Sequence, residues 1–464
     1  MRIKIEKLNS FRLWLIFFFY TFFISALVQI ILLPYVFPSL HAGKGLMVSS
    51  LDSIGFHQLA VDLADKIRIQ GWSAWQLRPQ GQAPAGIASI FYVFITPDPR
   101  IFILISAALH ATASLVLVNL INSFVKNKFR SILCVIPFLV FPSSLQWTAQ
   151  WHRDGFSILG FILILRAIVS LFELVNYKTD NWVIINIGSI IVFLSGFCLI
   201  GLVRPYILMI IGPFAVLLFS LLFFIILYRL LKKEMIWRKF VLILGSILFI
   251  LFMVMQTKTY LDSASFRGNG RILINQTIDL VTNPVISKYA STGAEKHWKN
   301  SFWLPFFLDN KAYSLAHMRN GFRFTAGKSN IDNNVGFGSA LDMLVYLPRA
   351  AQIVFLAPFP NQWLGEGSNS GNTLMRRIAA YEMIVVYLAF LFFLYALWHW
   401  RKRIEIWIIF LFCTYIMLMH GLVVCNVGSL YRMRYPYIMT LVSLGIAGFI
   451  VFLDDIRSKK ISKA

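Results

Sequence analysis

Charged residues are scarce in this chain. Asp, Glu, Lys and Arg make up only 14% of its 464 residues, whereas a soluble domain has about 25%. With so few charges the chain cannot cover a soluble surface, and it lacks the high charge and low hydrophobicity of a disordered chain. The scarcity therefore excludes both a soluble enzyme and a disordered protein.

Several familiar motifs are also missing. The four cysteines stand in apolar segments without CxxC spacing, which argues against a disulfide framework or a cysteine metal site. The chain has no GxGxxG, no Walker lysine motif, no HExxH and no GxSxG, so nucleotide-driven chemistry on a cytoplasmic domain is excluded. The alternation of a membrane β-barrel is absent too.

What the chain has in abundance is apolar sequence. Hydrophobic residues make up 58% of it, its mean hydropathy is +0.71, and long apolar runs recur up to the C-terminus. Because a helix satisfies its own backbone polar groups in lipid, the pattern predicts an all-α polytopic membrane protein, with residues 1–464 as a single integral membrane domain. The ten predicted spans are Leu13–Phe37, Ile101–Val125, Ser131–Gln146, Gly155–Leu174, Trp182–Val203, Tyr206–Leu231, Phe240–Met255, Ile378–Trp398, Ile404–Val424 and Tyr435–Leu453.

Positive charge dominates the polar segments. Lys and Arg number 43 against 20 Asp and Glu, a formal net charge of +23. The dense basic clusters flank apolar runs, as the positive-inside rule expects of cytoplasmic loops, so we expect membrane lipids and no nucleic acid as partners. Both termini are then cytoplasmic, and 38–99 and 256–375 are two large extracytoplasmic loops. The apolar pieces 85–95 and 343–357 are too short to cross and predict re-entrant or interfacial helices.

The first extracytoplasmic loop carries a carboxylate at the start of an amphipathic segment. Asp52 precedes residues 53–64, whose apolar spacing predicts a helix. One interpretation makes Asp52 a helix N-cap; the other makes it a general base at the membrane surface, and the two are compatible. His57 lies on the same segment and is a candidate for substrate binding.

Two further outer turns carry arginine. Arg153 and Asp154 end the segment 142–154, which is either an aromatic belt with a solvated ion pair or a site wall in which Arg153 meets phosphate and Asp154 starts a helix. Arg204 stands alone between two spans, where it either snorkels or joins the site.

The turn before the last span runs against the positive-inside rule. Arg432 and Arg434 lie beside Tyr431 and Tyr435 on the outer face, where positive charge is not needed for topology. An arginine fork suits bidentate contact with phosphate, and tyrosine can line the path of a sugar or an isoprenoid. These residues are candidate substrate contacts.

Taken together, five short segments resemble polytopic glycosyltransferases of the GT-C type, in particular bacterial ones from polysaccharide clusters. The segments are 51–64, 141–154, 204–206, 357–360 with Glu382, and 428–436. The resemblance implies a GT-C-like fold in a bacterial inner membrane. It also implies transfer of a sugar from a polyprenyl-phosphate-linked donor to a glycan or lipid-linked acceptor on the extracytoplasmic face.

The same resemblance assigns roles to residues. Family members place an acidic residue in the first outer loop, which here is Asp52 as general base. Ser53 stands where a second carboxylate often follows, so Asp154 and Asp62 are the reserve catalytic candidates. Arg153, Arg204, Arg432 and Arg434 would neutralise the carrier phosphate. A divalent cation is left open as a cofactor.

Two other functions stay open at this stage. An O-antigen-type polymerase or ligase would join whole lipid-linked glycans and depend less on a single carboxylate. A carrier or flippase for a lipid-linked glycan would place charges along the middle of several spans. Charged and histidine residues within the predicted spans are few, and the charge concentrates at one face, which favours the enzyme.

Overall fold

The computed structural model describes residues 9–176, 181–232, 237–262, 298–323, 328–368 and 370–461, and their regular structure is helical. The helices are α1 (Ser10–Ala26, continued by π-helical turns over Leu27–Val36), α2 (Leu51–Gln70), α3 (Ala83–Phe94), α4 (Ile103–Val125), α5 (Lys128–Val140), α6 (Pro142–Thr148), α7 (Asp154–Asn176), α8 (Trp182–Val203), α9 (Pro205–Leu231), α10 (Trp237–Asp262), α11 (Phe306–Arg323), α12 (Ala340–Leu356), α13 (Ser370–His399), α14 (Ile404–Val423), α15 (Val427–Met433) and α16 (Tyr435–Ile461).

Within those ranges, eight helical stretches are long and apolar enough to cross a membrane. They are Ser10–Val36, Pro99–Val125, Asp154–Val175, Trp182–Val203, Pro205–Leu231, Ser370–His399, Ile404–Val423 and Tyr435–Ser458. The expectation of an all-α polytopic membrane protein is thereby confirmed. The sidedness of the termini and loops stays a prediction.

The other two predicted spans are not straight helices of spanning length: one is bent, and the other has too short an apolar stretch. The segment predicted as Ser131–Gln146 is α5 and α6, which are bent by 65° because Phe141 takes an extended conformation before Pro142. The segment predicted as Phe240–Met255 lies on α10, where the apolar stretch Lys239–Met253 falls short of the length for a span. Counting the bent pair gives up to nine spans among the described residues, so ten stays a prediction.

The chain divides into two compact units. The first unit comprises 1–262, 386–412 and 439–464, and the second comprises 263–385 and 413–438. Part of the large predicted loop 256–375, residues 263–297, 324–327 and 369, lies outside the described residues.

In the first unit, α7 and α8 pack closely because glycine faces glycine. A Cβ on Gly160 would lie 2.8 Å from the Gly196 carbonyl oxygen, and one on Gly196 would lie 2.5 Å from that of Gly160. Any side chain here would push the two backbones apart. The contact fixes the register between the helix that begins at Asp154 and the helix that ends at Val203.

The segment predicted as the first extracytoplasmic loop folds into α2 and α3, which share an apolar core. The predicted amphipathic helix is present as α2, and its residues Phe56 and Ala60 are buried against Tyr92 of α3. Trp151 belongs to the same core and donates from Nε1 to the Pro84 carbonyl at 2.9 Å. The turn that precedes α7 is thereby held against the loop helices.

Candidate functional site

Asp52 lies in the first turn of α2, beside an arginine from the turn before α7. The Arg153 guanidinium is 3.4 Å from the Asp52 carboxylate, and the two side chains are 26% and 34% exposed. The same guanidinium is 5.4 Å from the ring centroid of Phe56, one turn further along α2. The structure therefore presents Asp52 as a partly exposed carboxylate with a cation beside it.

A second ion pair lies next to the first and is fully buried. Arg204 pairs with Asp154, and the two side chains are only 5% and 1% exposed. His152 Nδ1 is 3.4 Å from the other carboxylate oxygen of Asp154. Such burial is tolerable because a charged partner compensates the lost hydration, and the N-terminus of α7 also favours an anion.

The buried pair is connected to the start of α2 through His152. His152 Nε2 lies 2.8 Å from Ser50 Oγ, which is in turn 2.7 Å from Ser53 Oγ. These contacts extend from Arg204 and Asp154 to the two serines that flank Leu51 and Asp52 in the chain. They hold the first turn of α2 in place and therefore position Asp52.

Sequence reasoning missed this connection. Nothing in the sequence indicates a role for Ser50 and Ser53, which lie near Asp52, or for His152, which precedes Arg153. The one available signal was the adjacency of three polar, ionisable residues, 152–154, in a turn between apolar runs. Their partners are some fifty to a hundred residues away in the chain, with Ser50–His152 at a separation of 102 and Arg204–Asp154 at 50.

His57 lies further along α2 and contacts a tyrosine of α3. Its Nδ1 is 2.8 Å from the Tyr92 hydroxyl, and the rings meet edge to face. Burial, and after it the charge of Lys44, lower the pKa of His57 below 6.5, although Asp98 acts in the opposite direction. His57 is therefore neutral at pH 7, and its part in substrate binding stays a prediction.

The remaining predicted contacts belong to the second unit, where Arg434 is fully buried. Its guanidinium donates to the carbonyls of Ile353 at 3.1 Å and Val354 at 2.6 Å, and to that of Ala357. These carbonyls lie at the C-terminal end of α12, where a helix leaves acceptors without intrahelical partners and favours a cation. Arg434 thus holds the end of α12.

Tyr431 and Arg432 precede that buried arginine in the sequence. The Tyr431 hydroxyl donates to the Glu382 carboxylate at 2.6 Å, and burial, followed by the charge of Glu382, raises the pKa of Tyr431 well above its ordinary value. Arg432 lies in the last turn of α15 and is partly exposed. Of the two arginines in this turn, Arg432 is the less buried, and its role stays a prediction.

A second buried arginine in this unit escaped sequence reasoning. Arg319 of α11 is 1% exposed and donates to the carbonyls of Val335, Asp332 and Leu422. Burial alone would raise the pKa of Asp332, but hydrogen bonds from Arg349 and Tyr346 lower it. The carbonyl contacts of Arg319 hold residues 332–335 against α11, and no local sequence signal separates Arg319 from a solvated loop arginine.

Comparison with known proteins adds no relative: no protein-family model, curated protein or solved structure matches the chain.

Within the described ranges, no group of three or more His, Cys, Asp or Glu side chains is placed to hold a metal ion. Asp62, the reserve carboxylate, lies on α2 and accepts from Gln58 Nε2 at 3.0 Å.

Proposed function

We propose that this protein is a membrane glycosyltransferase that moves a sugar from a polyprenyl-phosphate-linked donor to a glycan or lipid-linked acceptor at the extracytoplasmic face. The observation that carries the proposal is the partly exposed Asp52 carboxylate, set at the start of α2 with Arg153 at 3.4 Å. Eight apolar helices place the chain in a bilayer, which is where a polyprenyl carrier is confined.

Because the leaving group is already a phosphate, the reaction mainly needs a base for the acceptor hydroxyl and a cation for the developing charge. Asp52 takes the proton from the acceptor hydroxyl as its oxygen attacks the anomeric carbon. The bond between that carbon and the phosphate oxygen breaks, and the electron pair leaves with the polyprenyl phosphate. Arg153 offers a cation to the charge that develops there.

The two carboxylates of this region have different parts in the proposal. Asp154 is 1% exposed and paired with Arg204, so it acts through His152 and Ser50 as a positioning residue. Arg204 is buried in the same ion pair, where its charge compensates that of Asp154. Asp52 is the carboxylate that a substrate can reach.

The proposal is tested by transfer from a panel of polyprenyl-phosphate-linked sugars to a lipid-linked acceptor in nanodiscs. Asp52→Asn should lower the initial rate by ~10²–10⁴, the usual contribution of a general base. The matched control is Asp65→Asn, because Asp65 lies on the same helix and pairs with Arg68 at 2.7 Å. Thermal unfolding of each variant separates a lost base from a lost fold.

Three results would contradict the proposal. Full activity of Asp52→Asn would remove the base from the mechanism. Joining of whole glycans with no transfer of a single sugar would favour the polymerase or ligase. Movement of an intact lipid-linked glycan across liposomes, with no new glycosidic bond, would favour the carrier.

A further inference from the structure

A cavity of about 280 Å³ lies among three membrane helices of the first unit. It is bounded by α4, α7 and α8, each part of a stretch apolar and long enough to span. Its polar lining is Asn119, Arg166, Ser170 and Ser189, and the rest of its wall is aliphatic apart from Gly188. Asn119 is exposed at its edge, so the cavity opens sideways, toward lipid.

The cavity lies away from the candidate site, toward the opposite ends of these helices. Arg166 is about 18 Å along α7 from Asp154, at 1.5 Å per residue. Asn119 is about 9 Å from the end of α4 at Val125, and Ser189 is about 10 Å from the start of α8 at Trp182. These ends are the ones that the sequence predicts to be cytoplasmic.

The charge near the cavity is shared between two arginines and two glutamates. Arg166 donates to Glu173 at 3.1 Å, and the two side chains are 26% and 22% exposed. The other oxygen of Glu173 lies 3.6 Å from Arg403, which is also 3.5 Å from Glu405. Glu173 therefore keeps a cationic partner if Arg166 turns to another anion.

Such a cavity is costly if it faces hydrocarbon alone. Ionisable groups within membrane helices are expensive unless they meet a partner, and a guanidinium has five N–H donors, of which the bond to Glu173 uses one. Basic pockets between membrane helices bind anionic lipid head groups. The aliphatic wall suits the carbon atoms next to such a head group.

We propose that this cavity binds the phosphate group of an anionic membrane lipid, with Arg166 as its charged contact and Asn119 and Ser170 as polar contacts. The assignment does not depend on the sugar transfer proposed above. Two sources offer the same chemistry, a glycerophospholipid such as phosphatidylglycerol and a polyprenyl phosphate. The lipid enters from the side, between α4 and α8.

The test measures the lipids retained by the full chain in native mass spectrometry after release from mixed micelles. One arm contains phosphatidylcholine with phosphatidylglycerol, and the other contains phosphatidylcholine with a polyprenyl phosphate. Arg166→Gln should reduce retention of the anionic lipid about tenfold, as expected for loss of one charge-assisted contact. Glu173→Gln should increase retention, because it removes the competitor for Arg166.

A second variant tests the cavity without changing any charge. Gly188→Leu should abolish retention by filling the space, and a Cβ at Gly188 meets no atom within 4 Å, so the helix can accept the side chain. The matched control is Arg401→Gln, an exposed arginine whose Nη1 donates to the Trp398 carbonyl. It should retain lipid like the wild type.

Retention of the anionic lipid in only one arm identifies which lipid supplies the phosphate. Retention in both arms shows that the phosphate group is sufficient for binding. Equal retention by the wild type, Arg166→Gln and Gly188→Leu would overturn the proposal. So would retention of phosphatidylcholine alone. If Arg166→Gln does not fold, the result for Gly188→Leu decides.

Discussion

Two arginine–aspartate pairs stand side by side in the first unit, and they differ chiefly in burial. Arg153 and Asp52 are about one quarter and one third exposed, whereas Arg204 and Asp154 are 5% and 1% exposed. The first pair can open to admit a ligand at small cost because water screens both charges. The second cannot open without leaving a charge in an apolar interior. Burial, more than residue type, separates a candidate catalytic group from a structural one.

The largest effect on stability should come from breaking the buried pair. Arg204→Ala leaves Asp154 without its cation, which typically costs ~3–5 kcal/mol. Denaturant unfolding in detergent measures the loss. The double variant Arg204→Met with Asp154→Leu should recover much of it, since an apolar replacement of a buried pair is often neutral. A double variant as unstable as Arg204→Ala would show that the pair contributes beyond charge compensation.

The exposed pair should behave in the opposite way. Arg153→Ala should lower the free energy of unfolding by only ~0–1 kcal/mol, as exposed ion pairs do. The rate of sugar transfer should fall more than stability does, because Arg153 is the cation beside the proposed base. Arg153→Lys should restore the rate only in part, since lysine cannot make a bidentate contact. If the transfer rate of Arg153→Ala equals that of the wild type, the pair is only a surface contact.

The smallest effect concerns His57, on the same helix as Asp52. Its pKa is lowered in the folded protein, so the unfolded chain binds more protons between the two pKa values and stability rises with pH there. The wild type should therefore lose stability as the pH falls below about 6.5, the unperturbed value. His57→Gln should flatten this dependence, measured as the unfolding midpoint from pH 5 to 7. His317→Gln, an exposed histidine of α11, is the control, and an unchanged slope in His57→Gln would contradict the assignment.

Local patterns predicted the helices of this fold well. The spacing after Asp52 predicts α2, and ten apolar runs coincide with described helices, although one is bent at Phe141 and the apolar stretch of another, α10, is too short for a span. These features are encoded within about twenty residues of sequence. A bend at a proline and the length of an apolar stretch can be seen locally, but whether such a segment crosses depends on its neighbours.

The candidate site was only partly predictable because its contacts are distant in the chain. Arg204 and Asp154 are 50 residues apart, and each alone resembles a surface charge. Arg434 is the clearest case. Its predicted position on the outer face favoured a phosphate contact, but a buried arginine at the end of α12 produces the same sequence pattern. The charge of a residue and its predicted side of the membrane do not show whether its side chain is buried.

The glycine contact between α7 and α8 has a consequence for engineering. Membrane proteins are often stabilised for study by replacing helical glycines with alanine, which favours the helical state. Gly55 and Gly245 offer open space for such a change. At Gly160 or Gly196 the added methyl would meet backbone and push the two helices apart. Asp154 and Arg204 lie on the same side of this crossing point, so a variant with alanine there would lose the alignment that brings them together.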